Sequence, residues 1–267
     1  MTVKAARLGI QKLYHYEPFC PKYLEGMFVN QRIHLSNPKN FNDPWDCYPC
    51  LDTTQMISPE YRARCIKYMQ KVPRPNLSAA DQRAFERMLQ ADASLMIEMC
   101  QTEFRESMRN KIVECWRVYC LAKHPDKSLM WSHYSNHHRG ICLEFDASQS
   151  LIGNAWQVKY RDALPALNML SFSPEEAFQI LVTKSTDWTY ENEFRILARD
   201  GQADEIPPLP ITNNDFLPLP PGALTAVIAG CRADVDTIKD LVKRHAPGLP
   251  VKRAVQAPDR YSLSVQD

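Results

Sequence analysis

The sequence predicts an α+β fold: a mixed or antiparallel central sheet, open to being a split one, with a helical insertion and peripheral helices. Three observations predict it. Strand-like alternation and helix-like periodicity are interleaved without a regular βαβ rhythm. Neither G-x-G-x-x-G nor G-x-x-x-x-G-K-[S/T] occurs, which argues against Rossmann and P-loop nucleotide sites. Hydrophobic residues make up 45% of the 267, enough for a full core in a single domain over 1–267.

The elements follow in order. Lys12–Tyr16 alternates and reads as a strand, and Pro21 suits the first turn of a helix over 21–30. Arg32–Ser36 is a second strand. Residues 59–71 and 78–112 read as helices, an insertion or lid at about 55–112; in the second, Ser78 is a cap candidate ahead of Phe85, Met88, Leu89, Leu95, Met96, Met99 and Phe104 at roughly helical spacing. A strand over 115–122 precedes a helix over 126–138, capped by Asp126 and stopped before Gly140. Strands follow over 141–146 and 155–160. Ser173 at the N-cap, Pro174 at N1 and Glu176 at N3 start a helix over 173–184. Residues 191–199 alternate as a strand, with Glu191, Glu193, Arg195 and Leu197 on one face and Phe194, Ile196 and Ala198 on the other. Prolines cluster over 207–221, an extended surface crossing. A strand over 224–230, a helix over 233–245 and strands over 250–256 and 260–265 complete the chain.

Composition excludes several classes. A net charge of +1 makes no case for a dedicated nucleic-acid or membrane-surface binder. No run of 18 apolar residues and no signal-peptide h-region is found, and the nine cysteines are an odd number, so reduced thiols in a cytoplasmic protein are expected. Cys47 and Cys50 form the one C-x-x-C, which leaves a four-cysteine zinc site without its second half. No metal is expected.

Three stretches carry candidate chemistry. In "FNDPWD", Asn42 or Asp43 suits a helix cap with Pro44 at its first position, while Trp45 and Asp46 are free to line a pocket. In "MWSHYSNHHRGICLEFD", Trp131, Tyr134 and His138 share a face of the expected helix, either packed inward or forming a platform for a flat ligand ring. His133 and His137, four apart, have the spacing of a metal pair without a third ligand. In "WTYENEFRIL", Glu191 and Glu193 point the same way from a strand; the alternatives are an ion-pair ladder relieved by Arg195, or a carboxylate pair aimed into a cleft.

Taken in order, "LYHYEPF", "LSNPKNFNDPWDC", "LMWSHYSNHHRGICLEFD" and "WTYENEFRIL" resemble the blocks of an uncharacterised bacterial domain family, over nearly the whole chain. Its members occur in settings suggestive of phage defence and mobile elements, so the resemblance implies a defence- or toxin-type protein. A remoter similarity, at the level of fold, is to ADP-ribosyltransferases. That similarity implies a split sheet, His15 with Tyr16 beside it on the first strand as ribose ligand, an aromatic from the Trp131–Tyr134 block near the nicotinamide, and Glu191-x-Glu193 as the catalytic pair. The chain departs from that pattern in lacking an S-T-S strand; "SFS" at 171–173 reads as a helix cap.

These readings leave three functions open. The first is ADP-ribosyl transfer or glycohydrolysis acting on NAD or a related small nucleotide. Glu193 would steady an oxocarbenium-like charge and Glu191 orient the acceptor; Trp131 and Tyr134 would stack a ring; Asn42, Asp43 and Asp46 would shape the wall; Arg195 or Arg139 would hold phosphate. The second is a metal-dependent nuclease with Asp43, Asp46, Glu144, Asp146, Glu191 and Glu193 as oxygen ligands. The third is a sensor or binding module without turnover. Convergence of Glu193, Trp131 and Asp46 on one pocket separates the first from the third.

Overall fold

The computed structural model describes residues 3–70, 78–171, 173–201 and 209–267. Lys71, Phe172, Pro207 and Pro208, assigned above to a helix end, a cap and the proline crossing, lie outside the described residues.

The first half opens with β1 (Lys12–Glu17), α1 (Pro21–Asn30) and β2 (Arg32–His34), close to expectation. A short strand, β3 (Cys50–Leu51), precedes α2 (Pro59–Met69). The expected helix over 78–112 is two helices, α3 (Ala79–Ala91) and α4 (Ala93–Cys115). Asp92 divides them: its backbone is extended and its carboxylate accepts from Ser94 N–H and Leu95 N–H, so it caps a new helix rather than continuing the old one.

After β4 (Trp116–Ala122), the expected helix over 126–138 is only α5 (Ser128–Tyr134). Asp126 does not cap it, because Lys127 stands at the N-cap without a side-chain bond. Gly140 does not end it either: Asn136, His137 and His138 all take positive φ, and His138 N–H reaches back to the Trp131 carbonyl. β5 (Ile141–Asp146) and the single-turn α6 (Ser150–Gly153) follow. The expected strand over 155–160 is two short ones, β6 (Trp156–Gln157) and β7 (Lys159–Tyr160).

Beyond β8 (Ala166–Leu167), α7 (Pro174–Leu181) has the expected capping box of Ser173 and Glu176 but ends early, giving way to β9 (Thr183–Lys184). A 3₁₀ turn over Thr186–Glu191 then precedes β10 (Glu193–Asp200). The chain finishes with β11 (Ile211–Thr212), β12 (Phe216–Pro218), β13 (Leu224–Ala229), α8 (Val235–His245), β14 (Val251–Gln256) and β15 (Leu263–Gln266).

The central sheet has the order β11-β10-β4-β1-β5-β13-β14-β15, with β6 also paired to β10. The β10–β11 and β13–β14 pairs are parallel and the others antiparallel, so the fold is α+β with a mixed sheet. Helices cover both faces. α1 and α8 bury Leu24, Met27, Ile238 and Leu241 against Leu13, Leu143 and Val227. On the other side, α2, α3, α4 and α7 pack Cys65, Leu89, Met96 and Ile180 on Val118 and Leu197. Burial on both faces explains why β5 and β13 read as nearly continuous apolar runs.

One irregularity positions the site. β1 and β5 are paired from Lys12↔Asp146 to Glu17↔Ile141, and β4 and β10 from Glu193↔Ala122 to Arg199↔Trp116. Between them, β1 and β4 share only the pair Tyr14↔Ala122. Ser36 takes over at Val118, exchanging both backbone bonds with it at 2.8 and 2.9 Å. The sheet therefore has an opening between the two strands, bounded by Tyr14/Ala122 at one end and Ser36/Val118 at the other.

Candidate functional site

That opening is the wall of a cleft of about 520 Å³. His15 props it open. Its Nδ1 lies 2.7 Å from the Cys120 carbonyl, and its ring stacks on Tyr119 at 4.1 Å. Around it stand Tyr14, Tyr16 and Glu17 of β1, Tyr23 of α1, Phe41 and Asn42 of the loop after β2, and Met130, His133 and Tyr134 of α5. Asp46, Lys184, Glu191 and Glu193 also line it. Among the described residues no lining residue comes from 55–112, and those helices form a packing layer for the sheet.

The acidic wall is an ion cluster built from four separate segments. Arg195 of β10 is fully buried and spends all five N–H donors. Its Nε and one terminal nitrogen meet Glu193 at 2.7 and 3.0 Å; its two terminal nitrogens meet Asp46 at 2.8 and 2.6 Å; the fifth bond goes to the Leu181 carbonyl at 2.9 Å. Lys184 of β9 gives its ammonium to Glu191 at 2.6 Å and stands 3.5 Å from Glu193 and 3.6 Å from Asp46. Tyr134 O–H donates to the other Glu191 oxygen at 2.6 Å. Asn42 reaches the same phenol oxygen at 3.4 Å.

Three carboxylates thus face two cations. Burial, then the Glu193 charge, pushes Glu191 above the usual carboxylate range, against the pull of Lys184. Burial also opposes ionisation of Glu193, but Arg195 and Lys184 outweigh it and hold that group below the usual range. Burial likewise disfavours the Lys184 ammonium, and Glu193, Asp46 and Glu191 overcome it, so the lysine stays charged. The surplus negative charge therefore falls on Glu191, the member that a ligand can perturb.

Glu191 does not lie on the strand. It ends the 3₁₀ turn, and Asn192, with φ of 45°, turns the chain before β10 begins at Glu193. Asparagine tolerates that left-handed conformation. The two carboxylates still converge, through Lys184 rather than through alternation along a strand. Arg195 is consumed inside the cluster and has no donor left for phosphate, and Arg139 does not line the cleft. The ion-pair ladder and the carboxylate pair, separate alternatives in the sequence, are here parts of one network.

"FNDPWD" forms a turn and not a helix cap. The Asp43 carboxylate accepts from Trp45 N–H at 2.9 Å, and Asp46 N–H bonds the Asp43 carbonyl at 3.2 Å. Asp43 is buried in this turn outside the cleft, and Trp45 is 58% exposed, edge-on to Tyr48, so neither forms the wall. The turn instead delivers Asp46 to Arg195.

Trp131 is also not a stacking surface. It is fully buried, donates to the Pro125 carbonyl at 2.8 Å and meets the Tyr16 ring edge-on. His138 lies beyond the end of α5, bonded to Ser132, and does not line the cleft. Of the expected aromatic platform only Tyr134 reaches the site. Tyr16 contributes to the wall, with its O–H on the His124 carbonyl.

Of the six acids of the nuclease reading only Asp46, Glu191 and Glu193 gather, and they do so around Arg195 and Lys184. Glu144 pairs with Lys12 at 2.7 Å on β5, Asp146 caps Ser148, and Asp43 holds its turn. Among the described residues no group of three or more His, Cys, Asp or Glu is arranged to hold a metal.

Two cleft residues carry no local sequence signal. Lys184 stands in an ordinary "VTKST" stretch and Glu17 in "HYEPF". A lysine shortly before an E-x-E segment, and a glutamate two residues after the first-strand histidine, are the only hints that they belong to the site.

Residues 130–196 match the family described as a protein of unknown function, DUF2971. The matched stretch runs from α5 into β10 and carries Tyr134, Lys184, Glu191, Glu193 and Arg195. No curated protein and no solved structure gives a significant match to the chain. Among the described residues no helix is long and apolar enough to cross a membrane.

Proposed function

We propose that the cleft binds a nucleotide by its ring-and-ribose half and cleaves or transfers at the N-glycosidic bond, with NAD as the substrate class. The observation that carries the reading is the surplus carboxylate, Glu191, set against aromatic walls at an opening in the sheet. The cluster's cations are consumed internally, so the wall favours a ligand whose reacting half is neutral or positive, as a pyridinium ribose is. In the reaction the C–N bond breaks and its electron pair goes to the ring nitrogen. The ribose is left with oxocarbenium character, which a nearby carboxylate stabilises. Water or an acceptor hydroxyl then adds at the anomeric carbon and gives up its proton to bulk water.

The electrostatics favour Glu191 for the role facing the substrate: Arg195 holds both Glu193 oxygens and keeps that group ionised, whereas Glu191, held by Lys184 and Tyr134, has no guanidinium partner and is pushed above the usual carboxylate range. Glu193 is then a positioning residue that holds Arg195 and Lys184, reversing the roles first assigned. A bound pyridinium would itself favour the ionised form of Glu191. The defence or toxin setting belongs to the same proposal, since consumption of NAD would supply it.

The test follows nicotinamide release from NAD. Wild type releases it, and Glu191→Gln is slower by about 10²-fold or more. No release by wild type at any protein concentration, or equal release by the variant, ends the proposal. A binding module without turnover is the second reading. The complete internal satisfaction of Arg195 and the sealed Trp131 favour it, and saturable nucleotide binding with no product would establish it.

A further inference from the structure

We propose that Glu17 and His15 form a donor–acceptor pair that reads an amide-type edge on the ligand, an acceptor atom beside an N–H donor. The inference rests on the nucleotide reading above and names the part of the ligand that enters the opening in the sheet. Both side chains come from β1, two residues apart, and both line the cleft.

The Cys120 carbonyl can only accept, so the His15 nitrogen 2.7 Å from it carries the hydrogen. Nε2 is then left with its lone pair. Stacking on Tyr119 fixes the plane of the ring. Burial depresses this imidazole to about 4, only partly offset by the Cys120 bond, so the acceptor persists at neutral pH.

Glu17 Oε2 stands 4.0 Å from His15 Nε2, beyond hydrogen-bond reach. Its Oε1 is buried with no partner among the described residues, and so is the Tyr119 phenol oxygen beneath His15. Buried polar atoms are normally satisfied, and an orphan carboxylate oxygen on a residue that lines the cleft marks a place where a ligand can supply a bond. The groups that face Glu17 from the packed elements are Tyr23 of α1, Tyr119 of β4 and Cys142 of β5, each kept uncharged by burial. His34 of β2 lines the same cleft. Burial alone lifts the Glu17 carboxyl to about 8, so it offers an O–H at neutral pH.

The pair therefore presents one donor and one acceptor side by side. The carboxamide of nicotinamide satisfies both, and so does the ring-nitrogen and amino edge of adenine. A carboxylate offers acceptors only and adds a charge. The hypoxanthine edge reverses the order of donor and acceptor.

The experiment is calorimetric titration of nicotinamide, nicotinate, adenosine and inosine into wild type, Glu17→Gln and Glu17→Leu, near pH 6 and near pH 9.5. Selectivity of about tenfold or more is expected within one of the two ligand pairs, and the pair that shows it identifies the source of the edge. Wild-type affinity falls by about tenfold or more between the two pH values. Glu17→Gln, whose amide donates at every pH, keeps its affinity across the range, and Glu17→Leu loses it. Equal affinities within both pairs, no binding of any of the four, a flat wild-type profile, or a Glu17→Gln profile that tracks wild type would overturn the inference. Nicotinamide release from NAD with none of these effects would sink the pair and keep the glycosidic reading. Selective binding with no release would do the reverse.

Discussion

Arg195→Met removes the centre of the ion cluster with little change of side-chain bulk. The guanidinium is fully buried, and four of its five N–H donors go to Glu193 and Asp46 at 2.6–3.0 Å. Lys184, at 3.5 and 3.6 Å from those carboxylates, remains as partial compensation. Removing one partner of a buried pair costs about 3–5 kcal/mol, because the other charge is left without its counter-ion. For a chain of this size each kcal/mol moves Tm by about 2–4 °C, so the variant melts about 6–20 °C below wild type. The assay is thermal unfolding by circular dichroism near pH 7. Adding Asp46→Asn and Glu193→Gln removes the stranded charges and restores part of the loss. The sign with pH is also set. The folded-state pKa of Glu193 is depressed, so its pairing contributes above the unfolded value, near about 4.3, and is lost as pH falls through the folded value. The gap between wild type and Arg195→Met therefore narrows in acid. A variant that melts within about 2 °C of wild type, or a triple variant no more stable than the single one, refutes the reasoning.

Three further outcomes are expected. The folded-state pKa of Glu17 is raised to about 8, so its contribution is present below the unfolded value and lost as pH rises through the folded one. Chemical denaturation should show wild type losing up to about 1.4 kcal/mol per pH unit against Glu17→Gln between about pH 4.5 and 8; parallel curves would show that Glu17 is not buried as described. A Cβ at Gly230 would meet the His138 carbonyl oxygen at 2.2 Å, which is backbone and cannot swing aside, so Gly230→Ala lowers stability by about 1–3 kcal/mol, measured by the same denaturation. Trp131→Ala costs about 3–5 kcal/mol by loss of a fully buried ring, whereas Trp45→Ala, at an exposed turn, stays within about 0.5 kcal/mol; similar melting of the two would contradict their placement.

Much of the fold was legible because its cues are local. Alternation marked β1 and an apolar run marked β5, Pro21 opened α1, and Ser173 with Glu176 boxed the start of α7. The errors lay where one residue could serve two local structures. Asp92 capped a second helix inside an apolar period that continued across it, and three residues of positive φ ended α5 well before its glycine. "FNDPWD" was legible as a supplier of Asp46 but not as a turn, and Trp45 stands exposed instead of lining a pocket while Trp131 takes the inward-packed of its two alternatives, since exposure of an indole depends on what packs over it.

The sequence by itself determined most element types, the α+β class and the acidic segment at 191–195, because periodicity, caps and charge need only near neighbours to act. Tertiary structure alone decided which of those charges are neutralised. Asp46 meets Arg195 across 149 residues of chain, and Lys184 meets Glu191 through a side chain that no motif announced. It also decided that β1 and β4 part beyond one pair, leaving Glu17 and His15 in an opening. The physical reason is that burial, and with it the protonation state of each group, is set by how distant segments desolvate one another.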